Sequence, residues 1–184
     1  MKRIIACILI ISAISITTYS QEIYLTHTGR ASFISNAPLE IIKAESDEVS
    51  GAINLADRTF AFTIDNKTFT GFNSSLQEEH FYENYMEIQD YPVSTFKGKI
   101  IEVIDLNSGT EQVVRAKGIL DIHGIGQERI IKGTVKISGN KILIKADFTV
   151  LLEDHQIKVP RVVYQKIAEA IEVSVTAELI KSGE

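Results

Sequence analysis

The sequence has 184 residues, of which 19 are Lys or Arg and 24 are Asp or Glu, giving a net charge of −5. This balance excludes the basic surface typical of nucleic-acid-binding proteins, so we expect no nucleic-acid partner. The single cysteine excludes a disulfide-rich scaffold, and the length favours one domain with its own hydrophobic core.

The first twenty residues are typical of a secretory signal peptide. Lys2 and Arg3 precede an apolar run over 4–16, and small residues fit a cut near Ser20/Gln21. The run is shorter than the about 20 residues of a membrane-spanning helix, so we expect no integral membrane span. Removal of residues 1–20 would leave a periplasmic or secreted domain, residues 21–184, with 17 basic and 24 acidic residues and a net charge of −7.

The first part of this domain predicts short strands. Apolar and polar residues alternate there in segments bounded by turn-forming residues such as Gly29 and Asp47-Glu48. The predicted strands are 23–26, 31–34, 39–44, 49–55, 59–65 and 68–70.

Between residues 74 and 89 the period of the pattern changes from two to between three and four. The apolar or aromatic positions are Leu76, His80, Phe81, Tyr85 and Ile88, with acidic residues between them. Ser74 or Ser75 can cap a helix start, and Tyr91-Pro92 disfavours its continuation. The pattern predicts one short helical insert, formed by one amphipathic helix or two shorter ones.

The longest alternation runs over residues 112–151. One face is apolar or small and the other is polar, as expected for antiparallel strands with one dry face. Predicted strands there and nearby are 93–105, 111–123, 129–138, 141–152 and 171–179, with a short helix within 159–169. About eight to ten strands at hairpin spacing predict an all-β sandwich or barrel.

Glycines inside the strands favour the barrel. Gly51, Gly98, Gly118 and Gly133 interrupt predicted strands, and tightly curled sheets need such points. A closed barrel of about eight strands holds either a packed core or one small ligand, and the residue pattern alone leaves both open.

Asp121 and His123 are the catalytic alternative. They lie two residues apart on one predicted strand and would act as a base and its orienting carboxylate. A solvent-facing strand end explains them as well, because no nucleophile motif lies nearby. The four histidines are widely spaced and form no metal-binding motif, so we expect no metal site and no cofactor.

Three segments resemble the YceI-like family of secreted, lipocalin-like proteins. His80–Phe96 is similar to a family segment in which a helix ends at Tyr-Pro before a strand. Gly118–Gly124 resembles the family's strand ending in His-Gly, and Val49–Gly51 resembles its glycine ahead of a strand. The similarity covers residues 27–181. The family's serine-x-histidine pattern before the first phenylalanine is absent from 28–33.

This resemblance implies a lipocalin-like antiparallel β-barrel of about eight strands that binds a polyisoprenoid or similar amphiphilic lipid without catalysis. The other readings are a barrel enzyme using Asp121 and His123, and a ligand-free envelope protein acting through its surface. The expected ligand is then an isoprenoid or other apolar lipid, and a homodimer is a further possible assembly. The residues expected to line the cavity are Phe60, Phe62, Ile64, Phe96, Leu120, Ile122, Ile142, Ile144 and Phe148.

Overall fold

The computed structural model describes residues 22–183, and the expected signal peptide and its cleavage point lie outside them. Eight antiparallel strands form a closed barrel in which each strand pairs with its sequence neighbours and the last pairs with the first. The strands are β1 (Ile23–Asn36), β2 (Ile41–Asn54), β3 (Thr59–Asp65), β4 (Val93–Ile100), β5 (Glu111–Ile122), β6 (Ile125–Ser138), β7 (Lys141–Leu151) and β8 (Ala170–Lys181).

The helical insert lies between β3 and β4. It consists of α1 (Ser75–His80) followed directly by a π-helical turn (Phe81–Tyr85). The Ser74 hydroxyl caps α1 by accepting a hydrogen bond from the backbone N–H of Gln77. The predicted all-β barrel with about eight strands and one short helical insert is therefore confirmed.

Two predicted strand breaks were wrong. The chain runs as a single strand through Gly29 in β1 and through Asp47-Glu48 in β2. The β1–β2 pairing shifts register between Thr26 and Ala31. A bulge interrupts the side-chain alternation without ending the strand, which explains why the sequence pattern resembles two strands.

Three other predicted elements were shorter or absent. β4 ends at Ile100 rather than at residue 105. Residues 66–68 form a 3₁₀ turn capped by the Asp65 carboxylate, so 68–70 contributes only one bridge, from Thr70 to Glu45. The stretch 159–169 forms only a 3₁₀ turn, Arg161–Val163.

One end of the barrel is filled with side chains. Its core cluster comes from the ends of the strands that meet there and includes Ile142 and Leu179, which are directly paired across β7 and β8 and both fully buried. We call this the closed end. The opposite end carries the two long connections, 66–92 and 152–169, and we call it the open end.

Candidate functional site

The barrel interior contains a cavity of about 590 Å³ between the closed-end core and the open end. This volume lies within the range of about 300–1,000 Å³ typical of small-molecule sites. The wall is mostly apolar and comes from all eight strands, the helical insert and the connection 152–169. At the open end the lining also contains Glu40, Gln77, His80 and Lys166. The site is an apolar chamber with a polar mouth.

The structure places most of the residues predicted from the alternation in the wall of this cavity. Eight of them line it: Phe60, Phe62, Ile64, Phe96, Leu120, Ile122, Ile144 and Phe148. The ninth, Ile142, points to the same face but lies within the closed-end core, outside the lining. Alternation gives the face of a strand and not the depth along the barrel. Contact of these residues with a ligand stays a prediction.

A row of directly paired residues crosses four strands at the middle of the wall. Gly51 pairs with Phe62, Phe62 with Phe96, and Phe96 with Leu120. The rings of Phe60 and Phe96 pack with centroids 4.8 Å apart. Gly51 leaves room for its partner, since a Cβ added there would lie 2.1 Å from Cδ1 of Phe62. The absence of a side chain on β2 therefore allows the Phe62 ring to lie against the sheet.

Sequence reasoning missed a second aromatic cluster, located at the open end. Phe33 of β1 packs against Phe69, Phe72 and Phe81, with ring centroids 5.4, 6.1 and 5.4 Å away. All four rings line the cavity. Phe69 and Phe72 lie in irregular chain, where no periodic pattern could have assigned them a face. Their only sequence signal is the concentration of phenylalanines around the predicted helix.

Buried polar groups fix the helical insert over the cavity. The amide of Asn66, which is fully buried, donates to the carbonyl oxygen of Tyr91 (2.8 Å) and accepts from the Ser94 hydroxyl (2.8 Å). Its backbone N–H donates to the carbonyl oxygen of Pro92 (2.8 Å). These bonds join the start of the insert to its return into β4, so they hold both ends of the connection together.

The hydroxyl of Tyr82 makes a second anchor for the insert. It donates within 2.6 Å of the Phe69 carbonyl oxygen and lies 3.0 Å from a carboxylate oxygen of Glu78. Burial, together with the hydrogen bond to Glu78, raises the pKa of Tyr82 to about 12. Burial also raises the pKa of Tyr85, which, unlike Tyr82, lines the cavity.

β6 and β7 are paired only along the part of their length that lies near the closed end. Paired positions run from Ser138 with Lys141 to Gly133 with Ala146. Nearer the open end, the Arg129 guanidinium spans the two strands. It donates to the Thr149 carbonyl oxygen (2.8 Å) and to the Asp154 carboxylate (3.1 Å). Side-chain hydrogen bonds thus replace the backbone ladder along this part of the wall.

Asp121 and His123 do not form a unit inside the cavity, and neither lines it. His123 lies in the β5–β6 turn with a positive φ of 54°. Its ring nitrogens contact the Glu87 carboxylate (2.6 Å) and the carbonyl oxygen of His155 (3.2 Å). The carboxylate beside His123 is therefore that of Glu87, from the helical insert. The alternative in which Asp121 orients His123 is therefore not what the structure shows, and His123 does not face solvent either, since its side chain is only 12% exposed.

Residues 22–183 contain neither a membrane-spanning helix nor a cluster of metal-binding side chains. This part of the chain has no helix long and apolar enough to span a membrane. It also has no group of three or more His, Cys, Asp or Glu side chains arranged to hold a metal ion.

Comparison with solved structures shows the same fold in several proteins. A polyisoprenoid binding domain from Saccharophagus degradans, implicated in plant cell wall breakdown, has a TM-score of 0.73 at 15% identity, over 88% of this chain and 99% of that chain. BcnA of Burkholderia cenocepacia has a TM-score of 0.65 at 14% identity, over 83% and 96%. A Campylobacter jejuni YceI protein has a TM-score of 0.59 at 13% identity, over 76% and 84%.

Comparison of the sequence with curated proteins and with family models gives one match, to a family model. No curated protein matches the chain. A family model described as the YceI-like domain does match, over residues 25–179, from near the start of β1 to near the end of β8. The match covers most of the sequence and all eight strands. The chain therefore belongs to the YceI-like domain family.

Proposed function

We propose that this protein binds a polyisoprenoid or similar amphiphilic lipid in the barrel cavity and performs no catalysis. The observation that carries this proposal is the contiguous apolar cavity of about 590 Å³ with a polar mouth. An apolar chamber suits a hydrocarbon tail, and a polar mouth suits a headgroup. The polyisoprenoid binding domain from Saccharophagus degradans, which has the same fold, supports this ligand class.

The energetics favour enclosure of such a tail. Removing about 300 Å² of apolar surface from water contributes roughly 7 kcal/mol before ordering costs, at about 25 cal/mol per Å². The preformed wall reduces those costs, because its aromatic rings already pack against one another. The third reading, a barrel that works only through its surface, requires an interior filled with side chains. The cavity favours the ligand over that reading.

The position of Asp121 and His123 favours a binding function over an enzymatic one. Both lie outside the lining of the cavity, so a molecule held there would not be placed against them. The His123 side chain is 12% exposed, and its Nε2 lies 2.6 Å from the Glu87 carboxylate, so the imidazole is engaged outside the barrel cavity.

We also propose that the protein is exported across the inner membrane; whether it forms a homodimer stays a prediction. The sequence of residues 1–20 supports cleavage near Ser20/Gln21 and a periplasmic or secreted location. Cell fractionation with mass measurement of the purified chain tests this. A homodimer stays a prediction, which light scattering after size-exclusion chromatography would check.

The ligand is tested by gentle purification of residues 21–184 and mass spectrometry of the extracted lipid, followed by titration with a fluorescent isoprenoid alcohol. We expect a co-purified isoprenoid or related amphiphile and saturable binding at one site per chain. A protein that is empty after purification and also fails to bind the labelled isoprenoid would contradict the proposal.

A further inference from the structure

The connection between β7 and β8 forms a lip at the mouth of the cavity. Val163 and Ile167 face inward and line the chamber. Val162 and Tyr164, from the same short stretch, point outward and are 89% and 61% exposed. One strip of chain therefore presents apolar side chains both to the cavity and to the surroundings.

The turn between β1 and β2 extends this apolar surface. The backbone N–H of Leu39 donates to the carbonyl oxygen of Gln165 (2.8 Å), which joins the turn to the lip. The Leu39 side chain is 67% exposed. Three large exposed side chains, Leu39, Val162 and Tyr164, thus lie within three residues, along the chain, of this one backbone hydrogen bond. Contiguous exposed apolar groups mark interaction surfaces more often than isolated ones do.

The central part of the lip, residues 156–168, is basic, whereas Glu153, Asp154 and Glu169 at its two ends balance this charge over the whole connection. Residues 156–168 contain Lys158, Arg161 and Lys166 and no Asp or Glu, whereas the whole sequence has a net charge of −5. All three cationic residues are exposed. Among residues 22–183, none of them forms an ion pair. Cations unpaired within the chain are free to interact with an external anionic surface.

We propose that this lip docks the open end of the barrel onto an anionic lipid bilayer. Exposed Leu, Val and Tyr side chains partition into the boundary between headgroups and acyl chains. Basic side chains near the surface add electrostatic attraction to anionic headgroups. Because Val163 and Ile167 continue from the lip into the cavity, docking would let an amphiphile pass between bilayer and barrel without exposing its tail to water. This role of docking rests on the proposed function, but docking itself does not require a bound ligand.

Vesicle co-sedimentation tests the docking surface. The probe is a vesicle of phosphatidylcholine with 30% phosphatidylglycerol, compared with pure phosphatidylcholine. We expect binding to the anionic vesicles that falls as salt rises. Lys158→Gln with Arg161→Gln should weaken it by roughly fivefold for each cation removed. Val162→Asp should weaken it at least about tenfold, because a carboxylate replaces an inserting side chain.

A matched control lies at the other end of the barrel. Val103, in the connection between β4 and β5, is 83% exposed, so Val103→Asp introduces the same change far from the lip. It should leave vesicle binding unchanged. Equal loss in both valine variants, or binding that does not depend on anionic lipid, would overturn the inference. So would a dimer in solution that Val162→Asp dissociates.

Titration with the labelled isoprenoid separates docking from the cavity's own function. We expect Val162→Asp to bind the labelled isoprenoid like the parent while losing vesicle binding. If it loses both, the lip is part of the cavity rather than a docking surface, and the inference fails. If the parent docks on vesicles but binds no isoprenoid, the docking stands and the proposed function fails.

Discussion

The ring of Phe62 occupies the position that a side chain on Gly51 would need. The two residues are direct partners across β2 and β3, and an added Cβ on Gly51 would lie 2.1 Å from Cδ1 and 2.5 Å from Cε1 of the ring. Phe62 is also the first aromatic residue of the row that continues to Phe96 and Leu120. The shape of the cavity wall at this point thus depends on a missing methyl group.

We expect Gly51→Ala to push Phe62 away from the sheet and into the cavity. Overpacking of this kind costs about 1–3 kcal/mol of unfolding free energy, measured by urea denaturation, and should also weaken binding of the labelled isoprenoid. The double variant Gly51→Ala with Phe62→Ala removes all three colliding atoms, Cγ, Cδ1 and Cε1, so the two substitutions together should cost less than the sum of the single variants. Additive effects of the two substitutions would contradict this account.

Gly98→Ala should be more destabilising than Gly51→Ala. Gly98 and Gly118 are directly paired across β4 and β5, and a Cβ on Gly98 would lie 2.1 Å from the backbone carbonyl oxygen of Lys117. Backbone cannot rotate away as a ring can, so the two strands would have to separate. The control is Gly126→Ala, whose Cβ would meet only side-chain atoms, the nearest being Cγ2 of Ile119 at 2.9 Å. If the control lowers the urea midpoint as much as Gly98→Ala does, the strand-contact explanation is wrong.

Asn66→Ala should detach the helical insert from the start of β4. The substitution removes the side-chain hydrogen bonds to Tyr91 and Ser94 and leaves these half-buried partners unsatisfied, which costs about 1–3 kcal/mol. Ser94→Ala removes only one of these bonds and should cost less. Hydrogen exchange should locate the new flexibility in residues 66–92. Uniformly faster exchange over the whole barrel would show instead that Asn66 supports global stability.

The Tyr82 hydroxyl should lose its proton only at strongly alkaline pH, and the free energy of unfolding should fall as it does so. Its pKa is raised from 10.0 to about 12, so the neutral hydroxyl is favoured in the folded protein. The associated stability is fully present below pH 10 and is lost as pH rises through the folded-state pKa of about 12. Tyrosinate absorbance should therefore show a late transition that Tyr82→Phe removes in part, since burial raises the pKa of Tyr85 as well.

The control for this titration is Tyr164→Phe, a change at a tyrosine that is exposed on the lip. It should leave the late transition in place. A late transition of unchanged amplitude in Tyr82→Phe would mean that the hydrogen bonds to Phe69 and Glu78 do not hold the hydroxyl in solution.

Much of the wall could be predicted from sequence because strand alternation is a local property. Every second residue of β5 and β7 shares a face, which is enough to place Leu120, Ile122 and Ile144 on the cavity side. Depth along the barrel depends on how the strands stagger, and this information is not local. Ile142 lies on the inward face of β7, as the alternation predicts, but the stagger of the strands places it in the closed-end core rather than beside the cavity.

The open end could not be predicted from local pattern. The Phe33 cluster joins β1 to irregular chain and to a π-helical turn, so no single period describes it. The partner of His123 could not be foreseen, because Glu87 comes from the helical insert and the turn holds His123 at a positive φ. Such contacts depend on how the connections fold over the barrel.

Binding of the labelled isoprenoid to two neighbouring tryptophan variants tests the central claim most directly. Ile144 lines the cavity, whereas Leu143, the preceding residue of β7, is 43% exposed on the outer face. If the chamber holds the ligand, Ile144→Trp fills part of it and should weaken binding at least about tenfold, while Leu143→Trp should bind like the parent. Equal affinity in the parent and in both variants, with all three chains folded, would show that the ligand does not occupy the barrel interior.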